Sequence, residues 1–405
     1  MRHSALPRAF LRFAASLFSP HGWQMHILIA EAGTPCDRRV TMDENEHVRI
    51  KNERTRAFFA AANSGEGFKS FYREIFSPEK LLRRYLIKGG AGSGKSTLMR
   101  RVAEYASEHG HRVEYYYCSS DYTSLDGIVI DGRVALVDST APHILEPELA
   151  GATDEIVDTG LFWDSRALSA QKDRIAELSA RKGECYRGAY RYLEAALALD
   201  RRSRELMRRY VKSDKLRRAA ARAVASIPDG SGYSLEVGIR SSIGMKGRYS
   251  LDTYEKEAKR LVSVSDCYCA GGLFISALID EARRKGCRVR VSFDPVSTDV
   301  PDAVLFEESG TCFVVGVGEA ESKINMKRFF SFSHSSAQAR VARAEFRADR
   351  RLYDGLLEYA CERLAEAGEA HFELERIYGE CMDFEAESRY CESLAARVLD
   401  MIEEK

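Results

Sequence analysis

The sequence lacks an excess of either charge: Lys plus Arg and Asp plus Glu both number 61 in 405 residues, so no global basic field argues for nucleic acid as a partner. It lacks any apolar run near the ~20 residues of a membrane span, and neither a transmembrane helix nor a membrane partner is expected. It also lacks cysteines paired at metal-binding spacing. Its 10 cysteines are scattered, and the close pair Cys267 and Cys269 is separated by one residue where zinc sites usually have two. Reduced, mostly buried thiols are expected. What is present, 45% apolar and 30% charged residues, is the composition of a globular chain long enough for ~2 to 3 domains.

The strongest local signal is Gly89-Gly90-Ala91-Gly92-Ser93-Gly94-Lys95-Ser96-Thr97, which fits the phosphate-binding pattern G-x-x-x-x-G-K-S/T at every position. Tyr85-Leu86-Ile87 before it suits a buried parallel strand, and the run from Leu98 to Ala103 continues as a helix, so strand, loop and helix come in the order the motif needs. Glycines let the backbone take positive φ and aim N–H groups at phosphate oxygens, and a helix starting at Lys95 adds its N-terminal partial charge. Lys95 is expected to reach the β- and γ-phosphates, Ser96 to place its hydroxyl on Mg²⁺, and Thr97 to close the first helical turn. A nucleotide site needs cellular ATP, which together with the thiols points to the cytoplasm.

Around this loop the first half reads as an open α/β sheet. The apolar segment from Arg56 to Ala62 runs into the turn Asn63-Ser64-Gly65-Glu66-Gly67, with Phe68 to Phe76 helical. Asn63 either lines the site or packs beneath the sheet. Arg112 to Cys118 is β-branched and aromatic enough for a strand, and it ends in Ser119-Ser120-Asp121. Polar residues at a strand's carboxyl end belong near the ligand in such sheets, so Asp121 is a candidate acid near the phosphates or a turn cap. Asp131-Gly132 splits two further apolar runs as a hairpin turn would, and the second run closes on Asp138. An apolar strand ending in an acid downstream of a phosphate loop marks Asp138 as the Mg²⁺-positioning carboxylate. Ser139 comes next, where many ATPases place a water-activating glutamate, and Ser139-Thr140-Ala141-Pro142-His143 puts an imidazole just past the strand. His143 is a candidate to orient water or a substrate.

Residues 1–41 carry Arg2, Arg8 and Arg12 around apolar stretches and resemble a targeting segment, but Arg12 interrupts the apolar part. Met42, opening Asp43-Glu44-Asn45-Glu46, is expected to be the real start. From Asp164 to about Ala225 the chain is Ala-, Glu- and Arg-rich with helical spacing, as in Tyr186, Ala189, Tyr190, Leu193 and Leu197. This helical arm carries Arg201-Arg202, Arg204 and Arg208-Arg209, which form a solvated face or, if the arm folds over the site, meet the γ-phosphate.

Ile227-Pro228-Asp229-Gly230-Ser231-Gly232 is the best linker, and the chain beyond it repeats the chain before it. Arg84–Ile130 can be laid without a gap on Arg260–Phe306, and Glu205–Tyr210 of the arm on Glu373–Tyr378. The phosphate loop is not repeated: opposite Gly89–Thr97 stands Ser265–Leu273, with Gly271 in the place of Lys95, Tyr268 in that of Gly92, and Asp266 set to repel phosphate. The strand of Asp138 corresponds to Thr311–Gly316, which has no acid. The fold class expected is therefore α/β, with two P-loop NTPase-like three-layer α/β units in tandem, each with a helical arm and the second degenerate. The expected divisions are an extension over 1–45, α/β units over 46–163 and 227–325, and arms over 164–226 and 326–405.

On Asn63–Phe68, the phosphate loop, Cys118–Asp121, Ser124–Gly127, Asp138–His143 and Gly160–Asp164, with His371, Glu375, Tyr378 and Met382–Phe384 near the C-terminus, the chain resembles an uncharacterised bacterial family of tandem P-loop ATPases. Members tend to keep a phosphate loop in both halves, and this sequence departs from that. The resemblance implies a fold and a ligand, ATP, without a cellular process.

The function expected is an ATP-binding, Mg²⁺-dependent ATPase that uses nucleotide state to move its arms or engage a protein partner. No N-K-x-D-like motif speaks for GTP. A phosphotransferase, with an acceptor hydroxyl held by arm arginines and assisted by His143 or Asp121, is the alternative, and an ATP-stabilised scaffold without enzymatic activity is a third.

Overall fold

The computed structural model describes residues 55–332 and 337–404, so the expected extension over 1–45 and the start at Met42 lie outside the described residues. The first half runs β1 (Thr55–Phe59), β2 (Ala61–Ser64), β3 (Gly67–Ser70), α1 (Tyr72–Ile75), β4 (Arg83–Lys88), α2 (Lys95–Glu108), β5 (Val113–Tyr117), β6 (Leu125–Ile130), β7 (Val134–Asp138), β8 (Asp154–Asp158), α3 (Ser165–Ala170), α4 (Lys172–Arg208) and α5 (Ser213–Ala223). The second runs β9 (Ser234–Val237), β10 (Ser241–Gly244), β11 (Gly247–Ser250), α6 (Thr253–Glu257), β12 (Arg260–Val264), α7 (Gly271–Lys285), β13 (Arg288–Phe293), β14 (Pro301–Phe306), β15 (Thr311–Val315), β16 (Ser322–Ile324), α8 (Ala337–Gly379) and α9 (Phe384–Glu403). Both halves belong to one unit.

Each half builds a six-stranded mixed sheet of the same order, β1-β5-β6-β7-β4-β8 in the first and, read from its matching edge, β9-β13-β14-β15-β12-β16 in the second. In the first sheet only β6 runs against its neighbours, β5 and β7, and β14 does the same in the second. The hairpin between β6 and β7 turns at Asp131 and Gly132, whose φ values of 50° and 67° are the two positive angles a tight hairpin of this kind requires.

Strand periodicity decides the layers. In the first sheet Tyr85, Ile87, Ile128, Ile130, Val134 and Leu136 face one core together with Leu98, Met99, Val102, Ala103 and Ala106 of α2. The residues between them, Leu86, Val129, Ala135 and Val137, face a different core shared with Ala303, Leu305, Cys312 and Val314 of the second sheet. The longer helices α2, α5, α7 and α9 therefore cover the outer faces, and the inner faces meet each other with Tyr72 of the short α1 and Tyr254 of the short α6 between them. This corrects the expectation that each unit has three layers of its own: the inner faces are apolar on both sheets, so each supplies the other's cover. The expectation of a helix over 68–76 is also corrected. Gly67, at φ 91°, turns the chain back after Ser64, and Gly67–Ser70 pairs antiparallel with Ala61–Ser64, which confines the helix to Tyr72–Ile75.

The arms are exchanged between the halves. α4 and α8, of 37 and 43 residues, lie side by side and antiparallel, with Arg181 paired to Glu369 towards one end and Arg202 to Glu345 towards the other. Ala189, Leu193, Ala196 and Leu197 of α4 meet Tyr353, Ala360 and Leu364 of α8 along the seam. Each arm then ends on the sheet of the opposite half. Leu216, Ala219 and Ala220 of α5 pack with Phe274, Ile275 and Leu278 of α7, whereas Cys391, Leu394, Ala395 and Val398 of α9 pack with α2 and the first sheet. Among the described residues no helix is long and apolar enough to cross a membrane.

Candidate functional site

A cavity of about 940 Å³ opens at the carboxyl ends of β4, β5 and β7 and is lined by all of Gly89–Thr97, by Asp121, Asp126, Asp138 and His143, and by side chains of both long helices. Topology brings these together. Parallel β4 and β7 pair so that Ile87 lies opposite Asp138, and antiparallel β6 starts where β5 ends, with Leu125 opposite Tyr117.

The loop takes positive φ at Gly92 (66°) and Gly94 (79°), and α2 starts at Lys95 directly after Gly94. Lys95 Nζ donates to the carbonyls of Gly90 at 2.6 Å and Gly89 at 3.2 Å, and stands 3.7 Å from Asp138 Oδ2. Asp138 Oδ1 accepts from the Thr140 N–H at 2.9 Å. Ser96 Oγ accepts from the Leu125 N–H at 3.0 Å. The loop is braced from below, with Ser93 Oγ donating to the Gly90 carbonyl and the Thr159 hydroxyl donating to Ser93 Oγ, both at 2.9 Å. Thr97 lines the same cavity in the first turn of α2.

Helices from the second half's arm roof the loop. A Cβ on Gly92 would lie 2.3 Å from the Glu375 carbonyl oxygen, one on Gly90 would lie 2.9 Å from the Tyr378 ring, and one on Gly94 would lie 3.2 Å from Glu387 Oε1. Small residues are thus needed here for the close approach of α8 and α9, apart from any ligand. His371 and Glu375, one turn apart on α8 and 3.3 Å from each other, both line the cavity. From the other side α4 presents Lys182, Tyr186 and Tyr190 at helical spacing. Burial pushes the Lys182 ammonium down from its ordinary range, and the like charge of Lys95 adds to this.

Asn63 sits in the cavity wall. It is fully buried, donating to the Ile243 carbonyl at 2.8 Å and accepting from the Tyr190 hydroxyl at 3.0 Å. Asp121 lines the cavity and caps its turn, accepting from the N–H and hydroxyl of Thr123 at 3.1 and 2.8 Å. His143 does not stand alone: its ring stacks on Tyr72 with centroids 5.0 Å apart, and Nε2 is 3.6 Å from Asp126 Oδ1. Burial raises the Asp126 carboxyl above its usual range, with Asp138 adding to this and His143 opposing it. Of the arm arginines, Arg204 is engaged in the second half, donating to Asp200 and to the Cys269 carbonyl, and Arg201 and Arg202 pair with acids at exposed positions.

The corresponding stretch of the second half is closed on itself. Asp266 Oδ1 accepts from the Gly271 N–H at 3.0 Å at the start of α7, the position in which a bound anion would receive that donor. The Tyr268 ring packs edge-on against Phe330, Phe332 and Phe346.

Sequence reasoning assigned no site role to Lys182, Tyr186 and Tyr190. The available signal was a cation and two tyrosines repeating every four residues on one face of α4. It named Cys118, Asp126, His371 and Glu375 within a strand, a repeat or a stretch of resemblance but gave them no chemistry, because that depends on contacts between distant segments.

A family model described as Nephrocystin 3, N-terminal, matches residues 69–129, a stretch that runs from β3 through the loop and α2 into β6. No curated protein matches the chain, and no solved structure does.

Proposed function

We propose that the chain binds ATP with Mg²⁺ on the loop Gly89–Thr97 and hydrolyses it slowly, as a switch that shifts the helical arms. The observation that carries this is the setting of Lys95, whose ammonium rests on loop carbonyls and lies 3.7 Å from the carboxylate that ends the neighbouring strand. From there it can exchange those contacts for phosphate oxygens. The surroundings fit the ligand. Positive-φ glycines turn the loop backbone toward the cavity, and two ammonium groups, Lys95 and Lys182, crowd one region where a triphosphate would relieve their repulsion. Ser96 Oγ and Asp138 Oδ2 are the oxygens that would hold Mg²⁺, which when bound neutralises charge on the β- and γ-phosphates. On this reading both α/β halves derive from a P-loop NTPase, the second having lost its loop, as the resemblance to tandem P-loop ATPases implies.

The arms enter because the main chain of α8 touches the loop at Gly92. Phosphates seated on the loop would press on Glu375 and shift the balance between arm positions. A phosphotransferase is the second reading, favoured by the partly buried His143 beside buried Asp126 in the same cavity. Purified protein with Mg²⁺ and ATP, followed for phosphate release alone and then with a pool of small-molecule acceptors, separates the two. Release without acceptor supports the switch, and release or transfer only with acceptor supports the transferase. Tight binding with neither activity leaves an ATP-stabilised scaffold, and no binding refutes the site.

A further inference from the structure

The cavity wall opposite the loop holds a second cluster. Cys118 Sγ, a carboxylate oxygen of Asp126 and a ring nitrogen of His143 lie within 4.8 Å of one another. They come from the end of β5, the start of β6 and the segment after β7, three neighbouring strands of the sheet's interior that present these residues at the same end. The cluster is polar and under-partnered: Asp126 is 3% exposed, yet its Oδ2 has no hydrogen-bond partner, and neither does His143 Nδ1. A buried carboxylate oxygen left without a hydrogen bond is costly.

In the second half the corresponding carboxylate stands beside a guanidinium, although one of its oxygens, Asp302 Oδ1, also has no hydrogen-bond partner. Asp302 occupies in β14 the place of Asp126 in β6, and Arg240 stands before β10 with its guanidinium 3.8 Å from Asp302. The residue before β2, in the place of Arg240, is Ala60. Asp126 has kept the burial and lost the cation. Cys118 likewise corresponds to Asp294, which accepts from the N–H groups of Val296 and Ser297 and pairs with Arg248.

We propose that Cys118, Asp126 and His143 bind a divalent transition metal ion, Zn²⁺ by preference, which supplies the missing positive charge. Sulfur, imidazole and carboxylate together are a zinc-type ligand set and a poor one for Mg²⁺, which takes oxygen ligands. Bond lengths of ~2.0 to 2.3 Å put tetrahedral ligand atoms roughly 3.3 to 3.8 Å apart, so side-chain movements of about an ångström close the site. Three protein ligands leave a fourth position, and since all three residues line the cavity, that position faces it and takes water or an oxygen of a bound molecule. The site does not depend on what occupies the loop.

The test uses the full chain stripped with chelator and titrated with Co²⁺ alone, then with Zn²⁺ as competitor. One Co²⁺ per chain is expected, with a thiolate-to-cobalt charge-transfer band and the intense visible bands of four-coordinate cobalt, displaced by one equivalent of Zn²⁺ and not by Mg²⁺. Cys118→Ser should remove the charge-transfer band, His143→Ala and Asp126→Asn should weaken binding at least tenfold, and Cys267→Ser should leave it unchanged. A wild-type chain without the band overturns the proposal whatever the variants do. So does a band that persists at full strength in Cys118→Ser, or one lost in Cys267→Ser.

Discussion

Replacing Gly92 with alanine tests whether α8 rests on the loop. Gly92 lies at φ 66°, a left-handed conformation that costs an L-residue roughly 1–2 kcal/mol. Gly132, in the hairpin between β6 and β7, lies at 67°, and a Cβ there would meet nothing within 4 Å. Gly132→Ala therefore reports the backbone cost alone. At Gly92 the new Cβ would stand 2.3 Å from the Glu375 carbonyl oxygen and 2.8 Å from its Cα, where ordinary contact begins at 3.4 Å. Both are main-chain atoms, so no side-chain rotation relieves the overlap, and α8 or the loop must shift by about an ångström. Overpacking of this kind costs about 1–3 kcal/mol, which brings Gly92→Ala to about 2–5 kcal/mol against about 1–2 for Gly132→Ala. Urea unfolding of the two variants gives the difference, and hydrogen exchange of the amides around Glu375 locates it. Equal costs together with unchanged protection of α8 would refute the contact.

Lys95→Ala should lose ATP-dependent thermal stabilisation, about 2.7 kcal/mol at an ATP concentration 100 times Kd, while the ligand-free melting temperature changes little; an undiminished shift with ATP in a thermal-shift assay contradicts the site. Ser96→Ala and Asp138→Asn should each raise the Mg²⁺ concentration needed for ATP binding, measured by titration at fixed nucleotide. Asp154→Asn should cost about 3–5 kcal/mol in denaturant unfolding, because Arg84, fully buried, donates to both oxygens of that carboxylate at 2.7 and 3.0 Å. Burial alone would raise the Asp154 carboxyl, but Arg84 and the N–H groups of Leu149 and Glu148 hold it below its usual range; its stabilisation is thus complete above about pH 4 and is lost as pH falls through the depressed value, so wild type should lose stability in acid more steeply than Asp154→Asn. Calorimetric titration should give one ATP per chain, since Asp266 already takes the donor at the second loop; a stoichiometry of two, falling to one in Lys95→Ala, would show a second live site.

The parts of the fold legible in the sequence are those whose cause is local. Tyr85-Leu86-Ile87 is a strand because it is an apolar run between polar ends, and Asp131-Gly132 is a hairpin because both residues tolerate positive φ. The duplication was legible because spacing is kept from Arg84 to Ile130 and from Arg260 to Phe306, and the matching strand orders carry it into three dimensions. The layers were not legible. Alternation in Leu86, Val129 and Ala135 states that these side chains are buried, without stating that the cover is another sheet. Nor does the amphipathic pattern of α9 name its partner: Leu394 and Val398 would suit either outer face, and only the crossing of α4 and α8 carries them to the first sheet. The site divides in the same way. Lys95 and Asp138 stand at fixed places in strand and loop, whereas Lys182 and Glu375 reach the cavity only through that crossing.

The exchange of arms gives a physical reason for a second half whose own loop is filled. The core between α2 and the first sheet is completed by Cys391, Leu394, Ala395, Val398 and Ile402 of α9, and the roof over Gly92 is the main chain of α8. Both belong to the second copy, so the first copy alone would expose an apolar helical face and leave the loop uncovered on one side. The dependence also runs the other way, because α5 lies on α7 and Arg204 of α4 holds the Cys269 carbonyl beside the filled loop at 3.1 Å. The second loop also takes part, because the Tyr268 ring packs against Phe346 of α8. What constrains the second half is the position of α8 and α9 over the first, and a loop satisfied by its own Asp266 anchors the start of α7 without needing a ligand to do so.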